Sequence, residues 1–172
     1  SAEELEVFFL LAPRVFSDYR DPSRGKFALV YSFSETTDNE DSGLIKAVEL
    51  ARAGATREIA ICDVSVECGY AGFTHSLNRL TVLGMVTTVP VRPIQVVGNA
   101  NTGSEAEALV RYIELINGDT GIIAPAFHLM RVFMTTVSAM YRLGKMRRVY
   151  AIPGAPMPWM KNVRHSQGIL QN

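Results

Sequence analysis

His128 and Arg131 stand three residues apart, so a helix carrying them places an imidazole and a guanidinium on one face. They close the segment GIIAPAFHLMR at 121–131, an apolar run that turns abruptly helical. A second corner of the same kind, IQVVGNANTGSEAE at 94–107, offers Asn99, Asn101, Thr102, Ser104 and Glu105. In a parallel α/β sheet such corners lie outside the carboxyl ends of the strands, where ligands bind. An imidazole and a carboxylate can exchange protons, and a guanidinium holds a carboxylate or phosphate through paired donors. Glu105 and His128 are therefore the candidate general acid–base groups, and Arg131 the candidate anion anchor. The corner after the first strand adds Ser34 and Glu35, in a hydroxyl- and acid-rich stretch running to Asn39.

Each of these residues also has a structural role open to it. Thr102 and Glu105 have the spacing of a capping box, with Thr as N-cap and Glu at the third helical position. Asn99, Asn101 and Ser104 would then line an anion-friendly helix N-terminus. His128 can serve as a helix-start residue, Arg131 can pair with Glu105, and Asp38 or Asn39 can cap the helix that follows them. Cys62 falls in an apolar strand pattern and reads as a reduced, buried thiol. Cys68 and His75 lack a second ligand pair, so no metal site is expected. No G-x-G-x-x-G, P-loop or G-x-S-x-G occurs, which removes motif support for dinucleotide, Walker-type and hydrolase-elbow chemistry. The cofactor is left unknown.

The elements that position these residues follow from apolar periodicity. Residues 3–16 read as an amphipathic helix and 18–25 as a polar connector. Strands are expected at 26–34, 58–65, 91–98, 121–127 and 148–154, with helices near 39–53, 74–83, 103–117 and 128–143. Phe127, Phe133 and Tyr141 have core-like spacing, and the tail at 155–172, which carries Trp159, reads as loop with room for a short helix. Strands alternating with helices imply one α/β domain over 1–172, a three-layer α/β/α sandwich of about five mostly parallel strands. The simplest doubly wound order is 3-2-1-4-5.

The chain of 172 residues carries 17 Lys and Arg against 17 Asp and Glu, so no global field favours nucleic acid. Lys145, Arg147 and Arg148 sit where a helix should end, a structural placement for cations. No apolar run reaches the roughly 18–20 residues that span a bilayer. The chain as it stands reads as cytoplasmic, with an upstream anchor and a homodimer left open.

Three local matches make the chain resemble the YdcF/SanA/ElyC-like family of bacterial proteins between about Lys26 and Pro156. Val89-Pro90 before Ile94 is similar to the family's G-V-P…I entry to strand three. Asn101-Thr102…Glu105-Ala106 is similar to its N-T-x-E-N helix start. Phe127-His128-Leu129-Met130-Arg131 matches its F/L-H-x-x-R strand end. The chain departs from the family at the ends of its first two strands, where YSFSE and CDVS replace glycine-rich corners, and Pro125 replaces a small polar residue. The resemblance implies a Rossmann-like fold and a crevice holding Glu105, His128 and Arg131. Through its relatives it also implies a link to cell-envelope metabolism, with S-adenosylmethionine binding in one branch. The expected function is binding of an anionic small molecule: a nucleotide, sugar phosphate or lipid-carrier phosphate. The alternatives are a non-catalytic S-adenosylmethionine- or nucleotide-binding regulatory module and a structural protein without a ligand. Whether the chain is an enzyme stays open.

Overall fold

The computed structural model describes residues 25–64, 70–98 and 101–157. The expected helix at 3–16, Ser65, Cys68, Asn99, Trp159 and the tail beyond 157 lie outside the described residues. The described chain runs β1 (Leu29–Ser32), α1 (Glu40–Arg52), β2 (Ile59–Asp63), α2 (Gly72–Val82), β3 (Val91–Gln95), α3 (Thr102–Ile113), β4 (Thr120–Ala124), α4 (Ala126–Leu143) and β5 (Val149–Pro153). The five strands form one parallel sheet in the order β3-β2-β1-β4-β5. This is the Rossmann-like α/β architecture, with the order expected of a doubly wound sheet.

Strand alternation sorts the core into two layers. Leu29, Tyr31, Ala60, Cys62, Ile122 and Ala124 face one side, where they pack on the buried face of α3 and α4. Val30, Ile59, Ile61 and Ile123 face the other side, against Leu44, Ala47 and Val48 of α1 and Leu80 of α2. Covering both faces leaves every residue of β1 and β4 buried. Full burial of one such aliphatic side chain contributes about 1.5–3 kcal/mol.

The chain leaves β1 in one direction and enters β4 from the other, so the switch point lies between these two strands. β1 is shorter than the expected 26–34. Phe33 N still donates to Ile123 O at 3.0 Å, but Ser34 N turns away to a side chain of α3. The expected strand at 121–127 stops at Ala124. Pro125, held near φ −53°, occupies the N-cap of α4 and starts the helix at Ala126. His128 thus belongs to the first turn of α4 instead of standing at its head. Gly144 ends that helix in the left-handed region, at φ 65°, as a C-terminal glycine should.

Two further expectations change. α3 stops at Ile113, because a turn through Leu115 and Ile116 leads to Gly118 at φ 140°. Phe127 and Tyr141 are 71% and 82% exposed, outside the core that their spacing suggested. The buried stripe of α4 is Leu129, Val132, Thr136, Ala139 and Met140, and the two aromatics fall on the opposite face.

Candidate functional site at the switch point

Asn101, not Thr102, is the N-cap of α3. Its extended backbone, φ −153° and ψ 165°, lets Oδ1 accept from Gly103 N at 2.8 Å and Ser104 N at 3.0 Å. Ser104 Oγ completes the box by accepting from Asn101 N. Asn ranks above Thr as an N-cap and here takes both free donors, so Thr102 becomes the first helical residue and Glu105 has no capping duty. Both side chains are released toward the switch point.

Glu105 is 5% exposed on α3 and faces the end of β1. Its Oε1 accepts from the Tyr31 hydroxyl at 2.7 Å and from Ser34 N at 2.8 Å. Burial pushes its carboxyl up to about 7, and the neighbouring charge of Glu35 adds to the rise, while the hydrogen bonds from Tyr31 and Ser34 oppose it. Tyr31 is fully buried, and desolvation and Glu105 together raise its phenol well above the ordinary range. Cys62, on the neighbouring strand, is pushed up to about 12 by burial first and by Glu105 second. At that value the thiol is neutral at physiological pH and is no nucleophile.

One residue further along the loop, Glu35 reaches across to α4, where its Oε1 lies 2.5 Å from His128 Nδ1. Glu35 and His128 side chains are 9% and 17% exposed, so this pair is shielded from bulk water. A carboxylate on Nδ1 fixes the ring orientation and places the accepting nitrogen of a neutral imidazole at Nε2. Nε2 points to Thr102 Oγ1, 3.4 Å away. Carboxylate, imidazole and hydroxyl therefore lie in the order that transfers a proton along a line.

Of the residues singled out in the sequence, Ser34, Glu35, Thr102, Glu105 and His128 meet in one bonded set. Asn101 and Ser104 stand beside it in the helix cap, and Asn99 is outside the described residues. Arg131 is exposed on α4, one turn beyond His128, and pairs with neither Glu105 nor any other described carboxylate. Tyr31 was missed by sequence reasoning, although a tyrosine inside a fully buried strand always needs a partner for its hydroxyl.

Glu35 also lines a cleft on the α1/α2 side of the sheet, with Ser32, Ser34, Glu40, Cys62 and Ser76. Its enclosed volume of about 20 Å³ has room for about one water. Glu40 Oε1 there meets His75 Nε2 at 2.7 Å, a second carboxylate–imidazole contact that sequence spacing did not reveal. Among the described residues, no three His, Cys, Asp or Glu side chains gather as a metal would require, and no helix is long and apolar enough to cross a membrane. Comparison with protein-family models, curated proteins and solved structures finds no match to this chain.

Proposed function

We propose that the crevice at the β1/β4 switch point binds an anionic small molecule and exchanges a proton with it through His128. The chain Glu35–His128–Thr102 carries this reading: a shielded imidazole, oriented by one carboxylate, presents Nε2 toward a hydroxyl. Arg131, exposed one turn away, supplies a charge for a carboxylate or phosphate at the mouth. A nucleotide, a sugar phosphate or a lipid-carrier phosphate meets that description, and the family resemblance adds cell-envelope metabolism as its setting. Glu105 acts beneath the ligand, holding the loop that carries Glu35.

A panel of nucleotides and sugar phosphates in a thermal-shift screen, followed by calorimetry, tests the proposal. Arg131→Ala should weaken binding by about 1.5–3 kcal/mol, the value of a lost charged hydrogen bond. His128→Ala should abolish any turnover of the bound compound while leaving a measurable Kd. Equal affinity in wild type and both variants places the ligand elsewhere.

A further inference from the structure

The amino end of the sheet, opposite the crevice, gathers cations from distant parts of the chain. Lys26 precedes β1, Arg57 precedes β2, and Arg147 and Arg148 precede β5. Parallel strands bring all these entry points to one edge. There they line two adjoining clefts, of about 240 and 550 Å³, that share Asn117, Gly118 and Arg148. All four cations are exposed.

Their partners neutralise them only in part. Lys26 and Arg57 form no ion pair among the described residues. Arg148 Nε stands 3.6 Å from Asp119 Oδ1, and Arg147 donates to the Glu114 backbone carbonyl at 3.3 Å. The Glu114 carboxylate is itself taken up by Lys145. A chain with no net charge thus concentrates a positive surplus in one groove. The expectation that Lys145, Arg147 and Arg148 merely finish a helix covers only Lys145, whose N–H donates to the Met140 carbonyl at 2.9 Å. Arg147 and Arg148 project past that helix into the clefts. Leu115 and Met146, 85% and 62% exposed, form an apolar stretch of the wider cleft's wall.

We infer that this groove is a second binding site, for a ligand that carries phosphate groups. Arginine forks and the Asn117 amide match phosphate oxygens, and two adjoining clefts accommodate more than one such group. A soluble oligophosphate and the headgroup of an anionic lipid both present this chemistry. The apolar wall of the wider cleft would contact the chain of the latter.

The test uses the full chain with two probes: inorganic tripolyphosphate by calorimetry, and phosphatidylglycerol-containing vesicles by co-sedimentation against pure phosphatidylcholine. Wild type should bind at least one probe, and binding should weaken when salt rises from about 50 to about 200 mM. Binding of tripolyphosphate alone assigns a free oligophosphate, binding of vesicles alone assigns a lipid headgroup, and binding of both supports the site with either source. Lys26→Gln with Arg57→Gln should weaken binding about tenfold or more through loss of two charged contacts. Both residues are exposed and unpaired among the described residues, so the double variant should fold. Arg148→Gln should weaken binding in the same direction, and Lys46→Gln, on α1 and outside both clefts, should leave it unchanged. Failure of wild type to bind either probe overturns the inference. So does binding that the double variant retains, or binding that Lys46→Gln removes.

Discussion

Replacing Glu105 by Gln should change how the stability of the protein depends on pH, and the size of the change follows from the buried carboxyl. Glu105 titrates near 7 in the fold and near 4.5 in an exposed chain. The folded state therefore holds the proton more tightly than the unfolded state. The contribution of Glu105 to stability is greatest below pH 4.5, where it is protonated in both states, and is lost as pH rises from there to about 7. At about 1.4 kcal/mol per pH unit, the loss across that window comes to about 3 kcal/mol. The amide introduced by Glu105→Gln keeps an acceptor oxygen for Tyr31 and Ser34 but has no proton to release. The variant's stability should lack this component at every pH.

Urea unfolding, followed by circular dichroism and extrapolated to water, measures the effect in wild type and Glu105→Gln at several pH values. Carboxylates and imidazoles common to both proteins cancel in the difference, as does any constant cost of fitting the amide. The variant-minus-wild-type stability should rise by about 3 kcal/mol between about pH 4 and about pH 8, most of it below about pH 7. A difference that stays flat to within about 1 kcal/mol over that range would refute the reasoning. It would mean that Glu105 is solvated or is paired with a cation in the folded protein.

Tyr31→Phe removes one of the two donors on Glu105 Oε1, and those donors hold the carboxyl down against burial. The pH at which wild type loses this stability should then move upward, as the same urea series would show; a downward move contradicts the assignment. Asn101→Ala deprives Gly103 N and Ser104 N of their acceptor and should cost about 1 kcal/mol in the urea series. Thr102→Ala, which leaves the cap intact, should cost clearly less.

The strand order was legible because five apolar runs alternate with helical periods, and short crossovers leave few doubly wound orders. Boundaries were less legible where one residue decides them. Pro125 starts α4 at Ala126, ahead of the His128 that the apolar run suggested, and Asn101 takes the cap that Thr102 and Glu105 had the spacing for. The stripe of Phe127 and Tyr141 was ambiguous because two residues about four turns apart return to the same helical face, and periodicity alone does not say whether that face is inner or outer. The site was legible in its membership and not in its bonding. Glu35 and His128 are separated by 93 residues, and only the switch point between β1 and β4 brings them within 2.5 Å. The decisive step is between Ser34 and Glu35. There the Ser34 N–H anchors to Glu105 of α3 while the side chain of the next residue, Glu35, reaches His128 of α4. Thr102 and Glu105 are one helical turn apart on α3, so the contacts close a circuit from Thr102 through His128, Glu35 and Ser34 to Glu105. Three chain segments are fixed to one another around a single imidazole. At the base of that circuit lies a buried carboxyl pushed up to about 7, bonded to the Tyr31 hydroxyl and to the Ser34 N–H beside Glu35.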